Sequence, residues 1–265
     1  MTPNPKVRAK LNRIGLYQVG DISWPEHVGM FTLPVRVAVK FNISLVIWGE
    51  NPENEHGGPK SEVDGHVMDR AWLEEFGGML GLRINDIVGM DGITANDMLP
   101  YTYPSAEELE KVGVKCLNLG QFIPWNGIDN YLISQAYGME TFGDAVEGSM
   151  VDYENLDNHQ NGIHEYFKFL KFGYGRATDQ ASLLIRRGRL TRERGLDIVR
   201  KLDGKFPWTY LGKPIEEILC RVGISMEEFI KICDRFTNKR IFKCDNKGKL
   251  IKDSQGNLEK INDDN

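Results

Sequence analysis

The sequence holds no apolar run near the roughly 20 residues of a membrane-spanning helix. Its opening residues, MTPNPKVRAK, lack the apolar segment of a signal peptide. It has no Cys-x-x-Cys pair: Cys116, Cys220, Cys233 and Cys244 are scattered, which gives no support for a zinc site or a disulfide framework. A basic excess is lacking as well, with 33 Lys+Arg against 38 Asp+Glu and a net charge of -5. That balance argues against general nucleic-acid binding, which needs a positive surface. No internal repeat and no low-complexity linker is evident. These absences predict a cytoplasmic protein with reduced thiols and no metal site, and neither nucleic acid nor membrane among its partners.

What is present suits a globular chain. Its 265 residues can bury a full core, as one large domain or as one domain with an appendage. The chain is organised around Asn42 to Gly58, NISLVIWGENPENEHGG. Ile43, Leu45, Val46, Ile47 and Trp48 form a short apolar run, expected of a parallel strand covered on both faces. Gly49-Glu50-Asn51 and an acidic, His- and Gly-containing loop follow, at the strand end where open α/β sheets bind ligands. An ordinary solvated acidic turn is the competing reading.

Ahead of that strand, residues 5–14 form a short helix on Val7, Leu11 and Ile14. Leu16 to Ile22 reads as extended and Trp24 to Gly29 as a turn, and Phe31 to Phe41 as a helix with Pro34 in its first turn. Beyond the strand, Asp69 to Phe76 is a plausible helix. Ser105 and Glu108 have capping-box spacing for a helix to Val112, which Gly113 ends. Val114 to Phe122 reads as a second strand and Ile128 to Tyr137 as a helix.

From Glu147 a polar connector leads into Ile163, Tyr166, Phe167 and Leu170, a strong helical stripe. Helices are expected from Arg176 to Arg187, from Thr191 to Leu202, and in two small segments beyond Pro207, the second capped by Ser225 and Glu228. The last twenty or so residues are polar and read as a hairpin or a frayed tail. The division expected is 1–210 for the main domain and 211–265 for a small helical extension and tail.

Arg176, Thr178 and Asp179 open a helix, where the dipole and free N–H groups favour an anion. Arg186 continues along that helix, and arginine's planar fork suits a pyrophosphate. For Arg176 and Asp179 an internal ion pair is the alternative, and Arg189 to Arg194 read as a solvated face. His159 and His164 stand five apart, which does not suit two metal ligands on one helix face. His164 is taken as a hydrogen-bonding group, with a structural histidine as its rival, and Trp48 as core.

The blocks WGENPENEHGGP, FIPWNGIDN, EGSMVDYENLDNHQNGIHEYFKFLKFGYGRATDQAS and IRRGRLTRE together resemble the N-acetyl sugar amidotransferases. These belong to the PP-loop ATP pyrophosphatase superfamily and act in bacterial surface-sugar biosynthesis, for example of lipopolysaccharide or flagellin sugars. The resemblance runs from about Pro3 to the 240s. It implies an α/β fold, a truncated PP-loop (adenine nucleotide alpha hydrolase-like) parallel sheet with a helical C-terminal extension. It also implies conversion of a sugar acetamido group to acetamidino, with ATP and Mg²⁺ and with ammonia from a glutaminase subunit.

By that resemblance Glu50, Asn51 and Asp179 are the catalytic candidates, and Gly49, Arg176 and Arg186 would hold ATP phosphate. Glu55, Asp157 and His164 would meet the sugar substrate. The family's S-G-G-x-D-S phosphate loop does not occur in the sequence, nor does its cysteine-rich N-terminal segment. The chain is therefore expected to represent the C-terminal portion of such an enzyme, with a partner carrying the missing loop and a strand left with an open apolar edge. Two rivals remain. One is another PP-loop use such as tRNA base thiolation, against which charge and cysteines speak; the other is a non-catalytic subunit completing a partner's site.

Overall fold

The computed structural model describes residues 3–49, 78–123 and 126–261. The expected helix at Asp69 to Phe76 lies outside them. The chain is mixed α/β and divides into two compact units, 1–132 and 133–265, each described here by itself. Among the described residues no helix is long and apolar enough to cross a membrane.

In the N-terminal unit, α1 (Pro5–Val19) starts where the Asn4 side chain accepts from the Lys6 amide at 3.0 Å, with Pro5 in the first turn. It continues past Ile14 through the segment expected to be extended, because its stop signal is Gly20 at φ 63°. Gly15 is an interior contact instead: a Cβ there would meet the Trp24 side chain at 2.5 Å. The expected turn at Trp24 is in fact the start of α2 (Trp24–Phe41), with Pro25 and Glu26 in its first turn. Pro34 consequently lies inside that helix rather than at its beginning. Leu11, Trp24, Val28, Val35, Ile87 and Met98 form the core of this unit, and Trp24 donates from Nε1 to the Met79 carbonyl at 3.0 Å.

β1 (Leu45–Trp48) pairs in parallel with β2 (Lys115–Asn118), Leu45 opposite Lys115 and Ile47 opposite Leu117. The intervening chain includes the short helices α3 (Ile84–Ile87), α4 (Ala95–Met98) and α5 (Ala106–Val112). α5 has the expected reciprocal cap, Glu108 N–H to Ser105 Oγ at 3.2 Å and Ser105 N–H to Glu108 Oε2 at 2.8 Å. A further helix, α6 (Gly127–Ala136), follows β2.

Among the described residues the strand is not covered on both faces as its composition predicts. Trp48 packs toward α2, 5.7 Å from the Phe31 ring, while Leu45 and Ile47 on the other face are 47% and 59% exposed. Alternation along a strand sends odd and even positions to opposite faces, so one covered face leaves every second apolar residue open.

The C-terminal unit is built on α7 (Asn161–Phe172), whose stripe Ile163, Tyr166, Phe167 and Leu170 is buried. α8 (Arg176–Arg186) and α9 (Arg192–Leu202) pack together, with Gly195 close enough that a Cβ would meet Ile185 at 2.8 Å. A two-residue antiparallel pair, β3 (Thr209–Tyr210) with β4 (Lys213–Pro214), leads into α10 (Ile215–Cys220) and α11 (Met226–Phe236). Phe167 lies 6.0 Å from Phe229 and 5.8 Å from Phe236, ring to ring.

The polar end is not frayed. Bridges Phe242–Lys260, Cys244–Leu250 and Lys252–Leu258 fold it into successive turns. The turns repeat Asp-x-x-Gly-x-Leu eight residues apart, at Asp245 and Asp253, a repeat missed in the sequence because it is only two units long. Asp245 accepts from the Lys247 and Lys249 amides at 2.8 and 2.9 Å, and Asp253 from those of Gln255 and Asn257 at 2.8 and 2.9 Å. Those bonds favour the ionised form and hold both carboxyls below the usual range, with the Asn257 side chain the largest influence at Asp253.

Candidate functional site

Glu50, Asn51 and Glu55 lie outside the described residues. Gly49 stands directly after β1, and a Cβ there would meet nothing within 4 Å. The other candidates fall in the C-terminal unit. Arg176, Asp179 and Arg186 are on α8, His164 is half-buried on α7, and Asp157 is exposed in the connector before α7.

The N-terminus of α8 already holds an anion, and it belongs to the chain. Asp203 accepts from Gly175 N–H at 2.8 Å, Ala177 N–H at 3.1 Å and Thr178 Oγ1 at 2.5 Å. Its carboxylate thus satisfies the free amides and meets the positive end of the helix dipole, where a phosphate would otherwise bind. Gly175 is glycine for the same reason, since a Cβ there would meet Asp203 Oδ1 at 2.8 Å.

Arg176 pairs with Glu154, Nη2 to Oε2 at 2.5 Å and Nε to Oε2 at 3.2 Å. Gln180 donates to the same Glu154 oxygen at 2.8 Å and to Ser149 Oγ at 3.0 Å, and accepts from the Met150 amide at 2.7 Å. This lattice fixes the 147–155 connector against α8. Asp179 is paired with Lys168, whose ammonium also lies 5.1 Å from the centre of the Tyr174 ring. Arg186 is exposed, and its Nε donates to the Ser182 carbonyl at 3.4 Å. Both α8 charges read as alternatives in the sequence therefore form internal ion pairs.

Beside this lattice is a cavity of about 250 Å³, to which Arg176 contributes, while Asp179, Arg186 and His164 do not line it. Its walls include Glu147 and Glu165, Lys205, and the aromatic run Phe206, Trp208 and Tyr210. Glu147 is engaged, accepting from Thr209 Oγ1 at 2.8 Å and from the Leu211 amide at 3.0 Å. Glu165 is different: its Oε2 is buried and has no hydrogen-bond partner among the described residues. Leaving such an acceptor unsatisfied costs about 1–3 kcal/mol.

Tyr210 donates to the Asn155 carbonyl at 3.1 Å. Burial pushes its phenol well up from the ordinary value, and the charges of Glu165 and Glu147 push it further. Gly162 permits this packing, since a Cβ there would meet the Tyr210 ring at 2.6 Å. Trp208 is half-exposed, its ring tilted at 49° to Phe206 with centres 4.6 Å apart, and its indole N–H is held by the Gln255 carbonyl at 3.0 Å. The arrangement offers a rigid aromatic platform, an unsatisfied acceptor and two cations, which suits binding of a polar ring.

Glu165, Asp203 and Trp208 were not anticipated. Asp203 stands in Leu202-Asp203-Gly204, which reads locally as the end of a helix, and nothing nearby in the sequence ties it to α8.

Residues 140–255 match the family model described as LPS biosynthesis protein WbpG-like, C-terminal domain. The match covers less than half of the chain and contains the whole cavity lining. No curated protein matches the chain. The likeness supports a bacterial sugar-biosynthesis family, the coarser part of what the sequence blocks imply.

Proposed function

We propose that this chain is the acceptor-side portion of an ATP-dependent N-acetyl sugar amidotransferase acting in lipopolysaccharide or related surface-sugar biosynthesis. The observation that carries the reading is the match of residues 140–255 to an LPS-biosynthesis C-terminal domain. The sequence blocks from WGENPENEHGGP onward narrow it to conversion of an acetamido group to acetamidino with ammonia from a glutaminase subunit. A two-stranded parallel sheet with one open apolar face is compatible with part of a PP-loop sheet.

The described residues do not fit a phosphate cradle. The α8 N-terminus holds Asp203, and Arg176 is bound to Glu154. In this reading ATP and Mg²⁺ are gripped by a phosphate loop outside these 265 residues. Gly49, Glu50 and Asn51 remain assigned to the nucleotide side by resemblance, and Glu55, Asp157 and His164 to the sugar. A non-catalytic subunit completing a partner's site is the second reading, favoured by the internal pairing of Arg176 and Asp179.

The test combines the chain with a polypeptide carrying S-G-G-x-D-S and with a glutaminase, then follows a nucleotide-linked N-acetyl sugar by mass spectrometry. Replacement of the amide oxygen by NH, dependent on ATP, glutamine and this chain, is the expected result. Product formed equally well without the chain would defeat the enzyme reading, and full ATP-to-AMP turnover by the chain unaided would defeat the placing of the phosphate grip outside these residues.

A further inference from the structure

We infer that the C-terminal cavity is a sugar-binding subsite in which Glu165 reads a hydrogen-bond donor of a pyranose ring lying against Trp208. The cavity, of about 250 Å³, has room for one such ring. Its acceptor is already in place: Glu165 lines the wall, and its Oε2 is buried without a partner. The last torsion of a glutamate is soft, so a small rotation turns that oxygen to a ligand hydroxyl or amide N–H.

The platform is also in place. Trp208 is 50% exposed, yet its indole is fixed by the bond to the Gln255 carbonyl and by Phe206 behind it. A held, half-exposed ring binds the apolar face of a sugar without losing further freedom.

The surrounding charges select the class of ligand. Glu147 and Glu165 disfavour a phosphate or carboxylate, and Arg176 is neutralised by Glu154. Lys205 in the same wall weighs against a simple cation site. A neutral ring rich in donors is what remains. This assignment rests on the sugar-modifying reading above and places the sugar in the C-terminal unit.

The experiment titrates the full chain with N-acetylglucosamine, glucose and, separately, ammonium chloride, following the Trp208 indole N–H by ¹⁵N NMR. Trp208→Phe assigns the signal. A saturable shift with the sugars is expected, weakened about tenfold or more in Glu165→Gln, since a bond to a charged acceptor is lost. Trp208→Leu, at a half-exposed position, serves as the second variant; its indole signal is gone, so its binding is followed by backbone amide shifts and is expected to be abolished, with an unchanged thermal melt showing that both variants fold.

Sugar binding that stays within about twofold in both variants would overturn the cavity while leaving the sugar-modifying reading intact. A shift with ammonium but with no sugar would make this a cation site and overturn the inference, as would no shift with any probe. The three-component conversion assay judges the function independently of all these outcomes.

Discussion

The two units solve the problem of covering apolar surface in different ways. In the C-terminal unit, rings from α7, α11 and the chain around Phe206 and Phe242 interlock, and Phe167, Phe229 and Phe242 are all but fully buried. Its charges are matched too, with Asp203 on the α8 amides, Glu154 on Arg176 and Lys168 on Asp179. The N-terminal unit has an equally closed core around Trp24, but among the described residues its sheet has two strands and one uncovered face. Leu45, Ile47 and, further on, Phe122 stand exposed among the described residues. Closed packing supports a preformed cavity, whereas an open parallel pair suits contact with something further, since parallel sheets are ordinarily covered on both sides.

The sharpest test of this contrast is Phe167→Ala, which removes a ring contacting two others in the C-terminal unit. A loss of about 3–5 kcal/mol is expected in urea denaturation followed by near-ultraviolet circular dichroism. A loss below about 1 kcal/mol would mean the aromatic core is not tightly packed. Asp203→Ala comes next, leaving the α8 amides without their acceptor. Its cost is expected at about 2 kcal/mol in the same measurement, with faster hydrogen exchange at Ala177 and Thr178.

Raising the pH gives the third test. Tyr166 and Tyr210 have phenols pushed up chiefly by burial, so both stay neutral in the folded chain after they would ionise in the unfolded one. Their contribution to stability is fully present below the unfolded value of about 10 and is lost as pH rises above it, by about 1.4 kcal/mol per unit for each. Melting temperature should begin to fall at about pH 9, where the thiol of buried Cys233 would ionise in the unfolded chain, and fall more steeply beyond about pH 10, less so in Tyr210→Phe.

The smallest effect on stability is expected from Ile47→Lys on the open sheet face, a shift within about 0.5 kcal/mol. The unmodified chain is expected to self-associate through this face in sedimentation velocity, and the same variant to do so less. A large destabilisation would instead show that this face is covered.

Much of the local structure was legible because its causes lie within one helical turn. The Ser105–Glu108 and Ser225–Glu228 caps and the α7 stripe needed only residues three or four apart. Reading Trp24–Pro25 as a turn failed because proline at a helix start and proline in a turn look alike until the packing of Trp24 is known. Arg176 was placed at a helix start from the sequence, whereas its ion-pair partner Glu154 was not foreseen.

The sequence by itself determined the capped helix starts at Ser105 and Ser225 and the apolar stripe of α7, and showed that β1 is apolar and that the chain has no Cys-x-x-Cys pair and no basic excess. Only the tertiary structure decided which charges meet: Asp203 with the α8 amides, Glu154 with Arg176, and Glu165 with no partner for its buried oxygen. The physical reason is range. Caps and stripes act between neighbours in the chain, whereas a carboxylate's partner and the covering of a sheet face are set by residues brought together only when the chain has folded.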